Sequence, residues 1–206
     1  MRRVMADVEG IAAAAMVIRS GLVVAIPTDT LYGLAVDPFR EDAVARVFEA
    51  KGRPSERAVP LIAADAEQVV ASLGVLSTTA RRLADAFWPG PLTLLVKAPD
   101  ALADIVTAGT GRVGVRVPAH ATARALCRAC DTPLTATSAN ISDRPATNDP
   151  DEVARTLASR IELLLDGGKT SGGAPSTIVD VTAEMPRLVR PGAVEWDRVL
   201  ACVQRL

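Results

Sequence analysis

The sequence predicts an α/β (α+β) fold, in which a twisted mixed β-sheet is flanked by helices. Short apolar runs such as Leu22–Ile26 and Leu92–Lys97 have the length of buried strands. They alternate with segments such as Glu41–Ala50, where apolar residues recur at helical spacing. Such an order typically forms a sheet covered by helices. Because the chain has 206 residues, 49% of them hydrophobic, we expect one domain over residues 1–206.

In the first half of the chain, helix boundaries are the clearest signals. A helix over Ile11–Arg19 ends before Gly21, and Asp65 is placed to cap a helix over Ala66–Leu73. A further helix over Thr78–Phe87 ends where two prolines prevent its continuation. The strands predicted in this half are Leu22–Ile26, Leu34–Val36, Val59–Ala63 and Leu92–Lys97.

In the second half, Val113–Val117 alternates like a strand, with its valines on one face and Gly114 and Arg116 on the other. A glycine beside an arginine leaves room for a ligand under the guanidinium. Only Gly167–Gly173 looks like a flexible loop. The other predicted elements are the strands Pro133–Ala136, Glu162–Asp166, Ser176–Val181 and Arg187–Arg190, and helices over Ala121–Ala129, near Pro150–Ser159 and from Glu195.

The charge is nearly balanced, with 23 basic and 24 acidic residues. This argues against a protein that coats nucleic acid, although it does not exclude a local, concave basic cleft. No apolar run is long enough to span a membrane, and Asp7 and Glu9 stand where a signal peptide would be apolar. We therefore expect a cytoplasmic protein without a membrane partner.

Three segments match known motifs in part. Cys127 and Cys130 have the spacing of a redox pair or of half a zinc site, but they lie in a predicted helix without a second Cys/His pair. We interpret them as packed cysteines and expect no zinc. Gly109–Gly114 matches a dinucleotide fingerprint but runs into a strand, and Gly168-Lys169-Thr170 lacks the first glycine of a P-loop.

Polar side chains follow several predicted strands. Thr28, Asp29 and Thr30 come directly after the strand that ends at Ile26, and a Lys-x-Arg pair, Lys51 and Arg53, follows on the polar connection after the next helix. Strand ends in open α/β sheets are common ligand sites. Together these residues favour a ligand with phosphate or carboxylate, whereas for either piece alone a turn with a solvated Lys and Arg is the better interpretation.

The ordered set of motifs closely resembles the YrdC/TsaC family, from about Gly21 to Gly192. The motifs are Pro27-Thr28-Asp29-Thr30-Leu31-Tyr32-Gly33, Lys51-Gly52-Arg53-Pro54, Trp88-Pro89-Gly90-Pro91-Leu92-Thr93, Val115-Arg116-Val117-Pro118, Thr137-Ser138-Ala139-Asn140, Ser176-Thr177-Ile178-Val179-Asp180 and Arg190-Pro191-Gly192. The resemblance implies an L-threonylcarbamoyladenylate synthase, a nucleotidyltransferase that joins L-threonine, bicarbonate and ATP and releases pyrophosphate. Its product serves threonylcarbamoyladenosine modification of tRNA next to the anticodon, through a separate transfer complex.

The resemblance also implies roles for individual residues. The catalytic cations are Lys51 and Arg53; the L-threonine contacts are Thr30, Tyr32, Arg116 and Ser176; the ATP contacts are Lys51, Arg53, Ser138, Asn140 and Arg190. Mg²⁺ accompanies ATP. Longer members often carry a histidine shortly after Pro-Leu, whereas here Pro60-Leu61 leads to Ile62-Ala63-Ala64. We also expect the short form of the family, without an extra C-terminal domain.

Other functions are consistent with parts of this pattern. A module that binds tRNA or double-stranded RNA, acting in tRNA or rRNA maturation without catalysis, would use the same concave surface; salt-sensitive RNA affinity without ATP turnover would distinguish it. A carbamoyl-transfer enzyme of hydrogenase maturation carries a similar domain inside a much longer chain.

Overall fold

The computed structural model describes residues 1–52 and 57–204. Its strands are β1 (Arg2–Met5), β2 (Val24–Ile26), β3 (Gly33–Ala35), β4 (Leu61–Ile62), β5 (Leu92–Lys97), β6 (Arg112–Arg116), β7 (Leu134–Thr135), β8 (Thr137–Ser138), β9 (Leu163–Asp166), β10 (Thr177–Asp180) and β11 (Arg187–Arg190). Its helices are α1 (Val8–Arg19), α2 (Glu41–Lys51), α3 (Ala66–Leu73), α4 (Thr78–Phe87), α5 (Asp104–Thr107), α6 (Ala121–Cys130), α7 (Pro150–Leu157) and α8 (Trp196–Gln204).

These strands form two mixed sheets. The five-stranded sheet has the order β1-β9-β2-β3-β8, with parallel pairing from β1 to β2 and antiparallel pairing beyond it. The six-stranded sheet has the order β11-β10-β5-β6-β4-β7, in which β10–β5 and β6–β4 are the parallel pairs. The mixed α/β fold predicted from the sequence is confirmed. The strands form two sheets, however, and not the single sheet that we expected.

Local signals located several helices well. The carboxylate of Asp65 accepts a hydrogen bond from Gln68 N at 3.0 Å, which fixes the start of α3 as predicted. Helix α4 begins at Thr78 and is capped by Ser77, whose hydroxyl accepts from Ala80 N; it ends at Phe87 before the first proline. Both helices have the predicted bounds, because the residues that cap or stop them are close neighbours of the helix ends in the sequence.

The hydrophobic core spans both sheets. One cluster of buried side chains joins Ala25 and Leu34 of the five-stranded sheet to Leu61 and Leu94 of the six-stranded sheet. The valines of β6 and Val117 belong to this cluster, which confirms the predicted inward face. The two sheets are therefore held at a fixed spacing by shared side chains. Within the described residues, no helix is both long and apolar enough to cross a membrane.

Candidate functional site

A cleft of about 590 Å³ is lined by residues of both sheets. Strands β3 and β8 contribute from the five-stranded sheet, and β4, β5, β6, β10 and β11 from the other. The charged residues among its described lining are Arg57, Arg116 and Arg190. The sequence-predicted site residues that line it are Thr30, Tyr32, Arg116, Ser138, Ser176 and Arg190.

The turn after β2 is fixed by its own hydroxyl groups. Thr28 Oγ1 donates to the carbonyl of Leu31 at 2.6 Å and accepts from Thr30 N at 3.3 Å. The carbonyl of Thr30 accepts from Thr170 Oγ1 at 2.6 Å and from Gly172 N at 3.0 Å. Residues 167–173 have no regular secondary structure, as predicted, yet hydrogen bonds hold them against this turn. They position Thr30 at the cleft.

Tyr32 lies at the cleft, but its hydroxyl is engaged elsewhere. The side chain is fully buried, and its hydroxyl donates to Gly168 O at 2.7 Å and accepts from Gly167 N at 3.1 Å. Burial raises the pKa of this phenol to about 12. Tyr32 therefore joins the turn after β2 to the loop after β9 through its polar atom.

Arg116, at the end of β6, is paired with a carboxylate. Its Nη1 donates to both oxygens of Asp29, at 2.7 and 2.8 Å. Arg116 is only 9% exposed, so its guanidinium does not face solvent on a half-exposed sheet. Asp29 is one of the polar residues that follow β2, but its pairing with Arg116 is not visible in the sequence, because the two residues come from different sheets.

Ser176 lies between two polar neighbours. Its hydroxyl is 2.8 Å from Thr93 Oγ1, and Arg190 Nη2 donates to its carbonyl at 2.6 Å and to its hydroxyl at 3.2 Å. Partial burial, together with the nearby charge of Arg116, lowers the pKa of Arg190. Gly114 does not open space for a ligand as predicted: a Cβ there would lie 3.2 Å from Thr93 Cγ2, so Thr93 occupies that space.

Lys51 differs most from its predicted setting. It is the last residue of α2 and only 3% exposed, not a cation on a polar connection. Its Nζ donates to the carbonyl of Ser138, and to the carbonyl and Oδ1 of Asn140 at 3.0 Å each. Ser138 Oγ donates to the same Oδ1 at 2.6 Å. Three predicted nucleotide contacts thus form one hydrogen-bonded group, while Arg53 lies outside the described residues.

The predicted packing of the cysteines is confirmed. Cys127 and Cys130 are buried on the same face of α6 as Ala123 and Leu126, and both thiols are free. Burial raises the pKa of Cys127, and it raises that of Cys130 to about 11. Across residues 1–52 and 57–204, no group of three or more His, Cys, Asp or Glu side chains could hold a metal ion.

The segment after Pro60-Leu61 is apolar, with the sequence Ile62-Ala63-Ala64. Ile62 lines the cleft, and Ala63 and Ala64 are buried. The carbonyl of Arg116 accepts a hydrogen bond from Ala63 N at 2.9 Å. This segment therefore supports β6 and supplies an apolar wall to the cleft.

Comparison with known proteins identifies close relatives. Residues 16–192 match the model of the Sua5/YciO/YrdC family, whose description is telomere recombination. The threonylcarbamoyl-AMP synthase of Pyrococcus abyssi is 40% identical over 186 residues, which cover 90% of this chain and 55% of that protein. The Bacillus subtilis synthase is 40% identical over 194 residues, which cover 94% of this chain and 56% of that protein. The chain thus spans about half the length of these two curated relatives.

The fold also matches a solved structure in which a ligand is bound. The crystal structure of P. abyssi Sua5 complexed with L-threonine has a TM-score of 0.90 and 37% sequence identity. The match covers 100% of this chain and 61% of that one. The putative threonylcarbamoyl-AMP synthase of Mycobacterium tuberculosis strain H37Rv is 37% identical, and the match covers 92% of this chain and 87% of that protein.

Proposed function

The chain belongs to the Sua5/YciO/YrdC family, and we propose that it is an L-threonylcarbamoyladenylate synthase. The observation that carries the proposal is the cleft, in which Arg116 and Arg190 face hydroxyl-bearing residues of both sheets. Guanidinium groups bind carboxylate and phosphate, and hydroxyl groups bind polar substrate atoms. The structural match to a relative that binds L-threonine supports the same conclusion. In this proposal, residues 1–206 form a single domain.

The reaction has two steps. The amine of L-threonine reacts with bicarbonate, which gives a carbamate and water. A carbamate oxygen then attacks the α-phosphorus of ATP, so that threonylcarbamoyl-AMP forms and pyrophosphate leaves. Such transfers depend on positioning and on neutralisation of phosphate charge rather than on a covalent nucleophile. A cleft built from arginines and hydroxyls fits that requirement.

We assign the L-threonine site to the part of the cleft near β6. Arg116 would bind the carboxylate of the amino acid, and the hydroxyls of Thr30 and Ser176 would contact its polar atoms. Tyr32 would act indirectly, because its hydroxyl is engaged by Gly167 and Gly168.

We assign the nucleotide to the side of the cleft formed by Ser138, Asn140 and Arg190, with Lys51 and Arg53 neutralising the phosphates. The hydrogen bonds of Lys51 to Ser138 and Asn140 support a role for Lys51 in shaping this side. ATP would enter as its Mg²⁺ complex, since magnesium is usually held by substrate phosphates and few protein ligands. A separate protein complex would transfer the threonylcarbamoyl group to adenosine in tRNA, in the cytoplasm.

Pyrophosphate release tests the proposal. The purified chain is expected to release pyrophosphate from ATP only when both L-threonine and bicarbonate are present, with threonylcarbamoyl-AMP detected by mass spectrometry. Arg116→Ala should abolish this turnover, whereas Arg112→Ala on the same strand, outside the cleft, should retain it. Equal turnover without L-threonine, or none with all three substrates, would contradict the assignment.

A further inference from the structure

The guanidinium of Arg116 has two edges with different surroundings. Nη1 donates to both oxygens of Asp29, at 2.7 and 2.8 Å. Within the described part of the chain, Nε and Nη2 have no hydrogen-bond acceptor, and Arg116 lines the cleft. The Nε–H and Nη2–H bonds of an arginine point in parallel, which is the arrangement that binds a carboxylate in a bidentate manner. One edge is thus held by the protein, and the other is available to a ligand.

Asp29 is itself held in place. Its carbonyl accepts from Ser171 Oγ at 2.8 Å, and its Oδ2 lies 3.4 Å from Ala119 N. The neighbouring residues Thr28 and Thr30 are fixed by the hydrogen bonds of the turn. Because the backbone on both sides is anchored, the carboxylate presents a fixed target to Arg116.

Charge gives a second reason for this pairing. Arg116 is nearly buried, and a buried cation without a partner is strongly unfavourable. Arg190 lies near enough for the charge of Arg116 to lower its pKa, so the two guanidinium groups repel each other. The described lining of the cleft includes no carboxylate. Asp29, directly beside it, offsets the repulsion and keeps Arg116 from turning away.

We propose that Asp29 is a positioning residue for substrate binding. It holds Nη1 of Arg116 so that Nε and Nη2 face the cleft and receive the carboxylate of L-threonine. This inference rests on the proposed synthase function. It assigns to Asp29 an effect on L-threonine affinity, through Arg116, and no contact with ATP.

Steady-state kinetics of Asp29→Asn and Asp29→Ala test this role. We expect KM for L-threonine to rise by about 10- to 100-fold, the usual effect of a misplaced positioning group, with little change in KM for ATP. L-Threoninamide lacks the carboxylate, so its inhibition constant should stay unchanged in both variants. Asp180→Asn is the matched control. The carboxylate of Asp180 pairs at 2.7 Å with Arg112, which lies on the same strand as Arg116 but outside the cleft. It should leave KM for L-threonine as in the wild type.

The outcomes separate this inference from the function on which it rests. A wild-type chain without threonine-dependent turnover would overturn both. An active wild type with an unchanged KM for L-threonine in both Asp29 variants would overturn only the role of Asp29. Equal weakening of L-threonine and L-threoninamide would show a general disruption of the cleft and would also overturn it. If Asp29→Ala does not fold, the isosteric Asn variant decides; failure of both to fold would assign Asp29 to stability alone.

Discussion

Replacing Lys51 with methionine should damage both the stability and the activity of this protein. Methionine fills a similar volume but removes the amine that donates to the carbonyls of Ser138 and Asn140 and to Asn140 Oδ1. Because Lys51 is 3% exposed, water cannot readily replace these bonds. The half-buried carbonyls of Ser138 and Asn140 would then lack a charged donor.

The magnitude follows from the number of bonds lost. A hydrogen bond to a charged group contributes about 1.5–3 kcal/mol, so the bonds to the two carbonyls account for roughly 3–6 kcal/mol. The bond to Asn140 Oδ1 is left out of this sum, because that oxygen still accepts from Ser138 Oγ. Part of this loss is offset because the variant no longer buries an amine. We expect a net decrease of about 2–4 kcal/mol in the free energy of unfolding. For a chain of this length, that corresponds to a melting temperature lower by roughly 4–16 °C.

Thermal unfolding followed by circular dichroism, together with threonine-dependent pyrophosphate release, measures both effects. The rate should fall by about 10²-fold or more, the usual effect of removing one preorganised donor from a site. Lys97→Met, at the exposed end of β5, is the control and should leave both properties unchanged. Lys51→Arg should not restore activity, since a planar guanidinium cannot reproduce the bonds of a compact amine. Wild-type stability and rate in Lys51→Met would refute this reasoning.

Two further variants test the packed groups. The double variant Cys127→Ala/Cys130→Ala should retain threonine-dependent synthesis. Its free energy of unfolding should be lower by about 1–3 kcal/mol, because small buried groups are lost. Loss of activity in the folded variant, or one bound zinc per wild-type chain, would contradict this. Tyr32→Phe leaves Gly167 N and Gly168 O without their partner and should lower the free energy of unfolding by about 1–3 kcal/mol. Because folding raises the pKa of Tyr32 to about 12, its contribution is complete below pH 10 and is lost as the pH rises towards 12. The wild type should therefore lose stability faster than Tyr32→Phe over that range, in melting curves recorded at each pH; parallel losses would exclude the effect.

Helix ends that depend only on neighbouring residues were predicted correctly from the sequence. The cap at Asp65 and the break after Phe87 each depend on neighbouring residues, and both boundaries are as predicted. Strand β1 was missed because Arg2–Met5 is short, mostly exposed and half charged, and its only sign is parallel pairing with β9. The division into two sheets was missed for a similar reason, since pairing partners lie far apart in the sequence.

In the candidate site too, contacts between residues far apart in the sequence could not be predicted. The polar residues of the cleft were found because side-chain types after strands are visible in the sequence. The partners of Lys51 and Tyr32 were not, because most of them are backbone atoms of Ser138, Asn140, Gly167 and Gly168. Any residue type has these atoms, so no sequence pattern marks them.

The shared core of the two sheets has a consequence for variants far from the cleft. Leu34 and Leu94 pack in one cluster and do not line the cleft, although both of their sheets contribute residues to it. A smaller side chain at either position would let one sheet move relative to the other, and the cleft would change width without any change in its own residues. Ligand affinity in this protein should therefore depend on interior residues that no ligand contacts, as well as on the residues that line the cleft.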